Sequence, residues 1–379
     1  MHVKPRLKFF LYGRKELIAP NNRLWNLRIP SLSVTYGEYF DTVGYFVTKN
    51  NCEVLIKALP FMKEPKRPPD ARLIKEIKIS LEKHGAFYHP SRVDVFIDES
   101  VFSFVLNAAL SKPGIEWLCQ EFLTLQKLNS AFSNSFIPRV FGQDLFNCGD
   151  GIQIGMFLGE WFEGYNEFHI SKDPSDGKEK ILIWDNLNGN TFITGKAEGE
   201  IYRQASMIMT CFYNIHTFEQ IFPWHHAAGD FVVKQTGGSL DLKLITVRQY
   251  SSLFEPEDKS GGGPLIYEAL LMFLAVLSIR MRLDRIDGTG DTVWADKISV
   301  EGTIKGFRDG IKEKTDPNVV PPCFLDEFRT YVKSISGDEL LDLFRTVADS
   351  FNQSAPDVSV IRRNLKEHSV ELFHALKNL

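Results

Sequence analysis

The stretch from Pro223 to Thr246 constrains this chain more than any other. Phe231-Val232-Val233-Lys234 and Leu242-Lys243-Leu244-Ile245-Thr246 are two apolar-rich, strand-like runs, and Gln235-Thr236-Gly237-Gly238-Ser239 between them holds the glycines that a tight reversal needs. A β-hairpin is expected. Directly before it, Pro223-Trp224-His225-His226-Ala227-Ala228-Gly229-Asp230 crowds two imidazoles and a carboxylate into one loop. Such groups either do chemistry or order the loop through hydrogen bonds.

The rest of the chain has two characters. Val43–Thr48 and Glu53–Leu59 read as strands joined by Lys49-Asn50-Asn51-Cys52, followed by the charged, proline-rich Lys63–Pro69. An amphipathic helix is expected over about 70–84, then a strand from Arg92 to Ile97. Ile115, Leu118, Phe122, Leu125 and Leu128 line one face of a helix, and strands are expected at Ile137–Phe141 and Ile152–Leu158. Beyond Glu160 a short hairpin around Ile181–Ile193 gives way to helices. One carries Ile201, Ala205, Ile208, Phe212 and Ile215; another opens on the capping-box pattern Ser336-Gly337-Asp338-Glu339; a last one runs from about 358 to the end. A sheet with a helix inside it, then a larger helical part, is an α+β plan in two lobes.

With 379 residues, 44% hydrophobic and 24% charged, the chain has material for two lobes and a sizeable core. A net charge of -4 gives no electrostatic reason to expect a nucleic-acid or anionic-membrane partner. Cys52, Cys119, Cys148, Cys211 and Cys323 are scattered and form no C-x-x-C pair, which implies a reducing compartment rather than disulfides or structural zinc. The apolar run Phe9-Phe10-Leu11-Tyr12 is short for a secretory signal, and Leu265–Ile279 is short for a membrane span, so a cytoplasmic protein with a buried helix is expected.

Phosphoryl transfer places charge around a polyphosphate: a lysine, an acid fixing it, metal ligands and a group near the incoming hydroxyl. Val54-Leu55-Ile56-Lys57, the helix bearing Glu121, Met156-Phe157-Leu158-Gly159-Glu160-Trp161-Phe162-Glu163-Gly164 and Gly229-Asp230-Phe231-Val232-Val233 occur in the matching order. Over roughly 34–60, 114–165 and 200–250 the chain resembles the protein-kinase-like superfamily, in particular its aminoglycoside-phosphotransferase branch, with degenerate catalytic motifs. The resemblance implies a two-lobe protein-kinase-like fold with a small antiparallel-sheet N-lobe (1–160, with an insertion at about 61–113) and a larger helical C-lobe (161–379) carrying a catalytic-loop-like hairpin at 223–248.

It also implies ATP or another nucleotide and Mg²⁺ as ligands. Lys57 would touch the phosphates, Glu121 would orient Lys57, and Glu160 and Phe162 would lie in the segment that meets the base. Asp230 would bind the metal and His225 would stand near the acceptor, at the position of the catalytic aspartate. Thr246, sixteen residues after Asp230, takes the place of the second metal-binding aspartate, and a neutral hydroxyl is a poor substitute for a carboxylate on Mg²⁺. A second register, reading Ala228-Gly229-Asp230-Phe231 as H-G-D-F, makes Asp230 itself the catalytic acid. No clear G-x-G-x-x-G loop precedes Lys57 in the stretch 34–60, where only Gly37 and Gly44 are available.

A divergent phosphotransferase-like, nucleotide-binding protein is expected, either a pseudokinase or an atypical small-molecule kinase. Two alternatives stay open. His225-His226-Ala227-Ala228-Gly229-Asp230 also fits the H-H-x-x-x-D motif of chloramphenicol-acetyltransferase-like acyltransferases, with His226 as base and Asp230 structural. The other is a non-catalytic interaction scaffold. Ile286-Asp287-Gly288-Thr289-Gly290-Asp291 reads as a polar turn, and Gly261-Gly262-Gly263 as a flexible connection.

Overall fold

The structure, a computed structural model, describes residues 4–11, 17–30, 32–62, 68–85, 88–148, 151–224, 229–253, 263–314 and 320–377. It is a mixed α+β protein, and its contacts divide the chain into Met1–Glu163 and Gly164–Leu379.

In the first unit, β1 (Arg6–Leu11) and β2 (Leu17–Ile18) lead into α1 (Tyr36–Ala58). Then come β3 (Ile74–Leu81), β4 (Ser91–Ile97), β5 (Ser100–Ala109), α2 (Lys112–Ala131), β6 (Val140–Cys148) and β7 (Ile152–Glu160). All seven strands form one sheet in the order β2-β1-β3-β4-β5-β7-β6. Only β1 and β3 run parallel; such a pair needs a long connection, and α1 lies within it.

α1 replaces the two strands expected at 43–48 and 53–59. Thr35 and Glu38 close a capping box, the Thr35 hydroxyl accepting from the Glu38 amide at 3.2 Å and the Glu38 carboxylate accepting from the Thr35 amide at 2.7 Å. Tyr39, Phe40, Val43, Phe46 and Val47 follow at three- and four-residue spacing, none more than 1% exposed. That is a helical stripe, and its burial outweighs the strand preference of its aromatic and β-branched members. Lys49-Asn50-Asn51-Cys52 does break the element, with φ of 49°, 58° and 60° at Asn50, Asn51 and Cys52, but the flanks on both sides are helical.

The expected helix at 70–84 is instead the strand β3. Ile74, Ile77 and Leu81 fit a helical spacing, whereas Ile77, Ile79 and Leu81, all buried, alternate as a strand does, and a register shift between Ile74 and Glu76 separates Ile74 from that alternation. Residues 61–113, expected as an insertion, thus supply β3, β4 and β5 at the centre of the sheet. Val93, Val95, Phe104, Leu106, Met156 and Leu158 belong to the core that α1 covers. Alternation turns Arg92, Asp94, Ser103 and Phe157 to the opposite face, where Phe122 of α2 packs on Phe157 with ring centres 5.9 Å apart.

The second unit opens with a three-stranded antiparallel sheet of β8 (Phe168–Lys172), β9 (Glu179–Ile183) and β10 (Thr191–Ile193). After α3 (Lys196–Phe212) and β11 (Glu219–Ile221), the expected hairpin forms from β12 (Phe231–Thr236) and β13 (Ser239–Leu244), in register from Phe231↔Leu244 to Thr236↔Ser239. Gly237 and Gly238 make its turn at φ of 57° and 87°, a reversal with positive φ at both central residues. β14 (Tyr250–Ser252) pairs back with β11. Then follow α4 (Gly263–Met281), the pair β15 (Leu283–Arg285) and β16 (Thr292–Trp294), and four helices: α5 (Lys297–Glu313), α6 (Phe324–Ser334), α7 (Gly337–Ser350) and α8 (Pro356–Leu376). No helix among the described residues is long and apolar enough to cross a membrane. α4 is the buried helix expected from its composition, with Leu270, Leu274, Ala275 and Ile279 at 0% exposure. The capping box at Ser336 and Glu339 forms as read.

α3 and α5 meet at unusually close range. Gly302, Gly306 and Gly310, one per turn of α5, face α3, and a Cβ at Gly306 would fall 2.0 Å from the Arg203 carbonyl oxygen and 2.8 Å from the Ser206 Cβ. Small residues at this spacing let two helix backbones approach more closely than ordinary side chains permit.

Candidate functional site

Lys57, Glu121, Glu160 and Phe162 belong to the first unit, and Asp230 and Thr246 to the second; each set is described within its own unit. His225, and His226 of the acyl-transfer reading, lie outside the described residues.

Lys57 does not stand on a strand. It sits in the last turn of α1, its side chain 65% exposed, paired at 2.6 Å with Glu53 one turn earlier. An exposed i,i+4 pair of this kind is ordinary helix-surface electrostatics. The strand that directly precedes α2 is β5, Ser100-Val101-Phe102-Ser103-Phe104-Val105-Leu106-Asn107-Ala108-Ala109, which contains no lysine or arginine. Glu121 is on α2 as expected, and it is 2% exposed.

Arg92 of β4 is a cation on the α2 side of the sheet. Its guanidinium donates to Asp94 at 2.8 Å, to the Ser103 hydroxyl at 3.1 Å and to Glu163 at 2.8 Å, and it stands 5.2 Å from the centre of the Trp161 ring. The Ser103 hydroxyl in turn donates to Asp94 at 2.6 Å. Arg92 therefore ties the segment after β7 back onto β4. Glu160, the last residue of β7, donates its backbone amide to the Arg139 carbonyl at 2.9 Å, and its carboxylate accepts from the Arg139 amide at 3.3 Å; Phe162 is half-buried just beyond it.

Glu82, at the end of β3, belongs to the same electrostatic neighbourhood. Burial pushes its carboxyl up to about 7, Arg92 opposes the shift and Asp94 adds to it. The unfolded carboxyl titrates near 4.5, so the folded state binds the proton more tightly. The stabilising contribution of the protonated form is complete below about 4.5 and is lost as pH rises through about 7. Glu82→Gln, which keeps the neutral form at every pH, is expected to raise the Tm at pH 8 and to leave it nearly unchanged at pH 4.5. An equal effect at both pH values would show that Glu82 is not protonated in the folded protein.

In the second unit the decisive contact joins Asp230, immediately before β12, to Arg248, beyond the end of β13. Nη1 of Arg248 donates to one carboxylate oxygen at 2.7 Å and Nη2 to the other at 2.8 Å. The Asp230 side chain is 2% exposed and that of Arg248 30%. Parallel two-bond pairing of a guanidinium with a carboxylate is among the strongest polar contacts a protein makes. The Ile245 amide also donates to the Asp230 carbonyl at 2.7 Å, closing the hairpin beyond its last paired residues. Thr246 follows Ile245 and is half-buried, and Val247 next to it is 0% exposed.

This donor set does not fit Mg²⁺. Both oxygens of Asp230 already accept from a fixed cation, and Thr246 offers a neutral hydroxyl where a hard dication takes charged oxygen. Among the described residues, no three His, Cys, Asp or Glu side chains converge on a point that could hold a metal ion. The arrangement can hold the loop–hairpin junction rigid and balance a buried charge. Sequence reasoning missed Arg248 as the partner of Asp230, because a pair eighteen residues apart leaves no periodic trace. No protein-family model and no curated protein matches the chain.

Proposed function

We propose that the chain is a protein-kinase-like protein that works as a binding scaffold, without metal-dependent phosphoryl transfer. The carrying observation is the bidentate Arg248–Asp230 pair, which commits the one carboxylate that the resemblance assigns to the metal. Other features agree with the reading. The helix bearing Glu121 lies between β5 and β6, the segment proposed to meet a base follows β7, and the hairpin headed by Asp230 comes later, in the order that the resemblance implies. Lys57, which the resemblance assigns to the phosphates, is solvated on α1 and paired with Glu53, and Arg92 is engaged by Asp94, Ser103 and Glu163, which favours a scaffold.

The acyl-transfer reading asks that Asp230 be structural, and the same ion pair satisfies that requirement. One assay separates the two. The purified full chain is incubated with ATP or GTP and Mg²⁺, and in parallel with acetyl-CoA, each with hydroxyl and amine acceptors. A scaffold forms neither nucleoside diphosphate nor free CoA above the no-protein rate. Nucleotide turnover that Asp230→Asn abolishes would overturn the proposal in favour of an atypical kinase; CoA release that His226→Ala abolishes would overturn it in favour of an acyltransferase.

A further inference from the structure

The connection from β3 to β4 brings two imidazoles together edge to face, their planes 64° apart. Among its described residues, the Glu82 amide donates to the Pro90 carbonyl and the Gly85 amide to the Tyr88 carbonyl, both at 2.9 Å. His89 is held on both sides, its amide donating to the Ala108 carbonyl at 2.8 Å and its carbonyl accepting from the Tyr39 hydroxyl at 2.9 Å. His89 is 7% exposed and His84 is exposed, so the pair is open to solvent on the His84 side. Their Nδ1 atoms lie 3.2 Å apart, with ring centres separated by 5.3 Å.

That separation has two meanings. Without an ion, Nδ1–H of one neutral ring donates to Nδ1 of the other. It is also the bite of a chelate: two imidazole nitrogens about 2.0–2.1 Å from a tetrahedral zinc ion lie roughly 3.3 Å from each other. We propose that His84 and His89 bind a borderline transition-metal cation of the zinc class through their two Nδ1 atoms, with water completing the coordination. Burial holds both rings below the usual imidazole range, His89 down to about 4, so both are in the neutral form that ligates a metal. Two protein ligands instead of three or four make the site a modest binder, and imidazole favours zinc-class ions over Mg²⁺.

The test is the Tm of the full chain with ZnCl₂ at about 100 µM, with MgCl₂ as the hard-ion control. A ligand that binds only the folded state raises the Tm, and the rise expected here is about 2 °C for Zn²⁺ and none for Mg²⁺. His84→Ala, at an exposed position that leaves the fold intact, is expected to abolish the rise, and His89→Asn to do the same if that variant folds. No rise in the unaltered protein would overturn the proposal. So would an equal rise in His84→Ala, which would place the ion elsewhere, for instance on the exposed thiol of Cys323.

Discussion

Gly306→Val is expected to destabilise the second unit by roughly 3 kcal/mol, a fall in Tm of about 6–12 °C. A Cβ at this position would fall 2.0 Å from the Arg203 carbonyl, a backbone atom that yields only if the whole of α3 shifts. The two Cγ methyls of valine enlarge the clash. Gly302 and Gly310 face the same contact, where a Cβ would come within 2.7 Å and 2.6 Å of the Tyr202 and Thr210 Cβ atoms, so α5 cannot pivot away at one point without losing the fit at the others. Gly337→Ala is the control. Nothing lies within 4 Å of a Cβ there, and the substitution is expected to be neutral or stabilising by about 0.4–1 kcal/mol. Equilibrium denaturation of the two variants checks the pair; a Gly306→Val protein as stable as the parent would show that α3 and α5 do not meet at this range.

Arg248→Ala carries the next largest effect. It removes the cation that balances a buried carboxylate, and breaking one side of such a pair costs roughly 3 kcal/mol. Arg248→Lys restores a charge but not the planar fork that reaches both oxygens, so only part of the loss returns. Asp230→Asn is expected to cost less, because Arg248 is 30% exposed and water can solvate it. The double variant isolates the pairwise term: a coupling above about 1 kcal/mol is expected from two residues in direct bidentate contact. Arg248→Ala within about 0.5 kcal/mol of the parent would contradict the pairing.

These two sites differ in how far the sequence discloses them. The glycines of α5 recur every four residues and could have been read as a close helix contact; their regular spacing is a local signal. The Arg248–Asp230 pair could not, since nothing near either residue distinguishes it from a solvated charge. The hairpin at 231–244 was legible because its turn needs two positive-φ residues and Gly237-Gly238 supplies them. The capping box at Ser336 was legible for the same reason, as a local pattern with a local cause.

The first unit was harder to read. Val43, Tyr45, Phe46 and Val47 have strand-forming side chains, yet the stripe from Tyr39 to Val47 is helical, and burial of that stripe decides the matter. The reverse error occurred at Ile74, Ile77 and Leu81, whose spacing suits a helix; pairing with β1 and β4, with a register shift after Ile74, makes the segment a strand. Misplacing these two segments put Lys57 on a strand and the central strands of the sheet in an insertion. The strand from which Lys57 was assigned to the phosphates is therefore the last turn of α1.

The most direct test of the account is the Tm of the full chain with ATP or GTP, with and without Mg²⁺, in the parent and in Lys57→Ala and Asp230→Asn. A carboxylate committed to Arg248 should give no Mg²⁺-dependent rise beyond about 1 °C with either nucleotide, and Lys57→Ala should behave as the parent does. A Mg²⁺-dependent rise that both substitutions abolish would contradict the account, placing Lys57 and Asp230 in one nucleotide site despite the pairing seen in each unit.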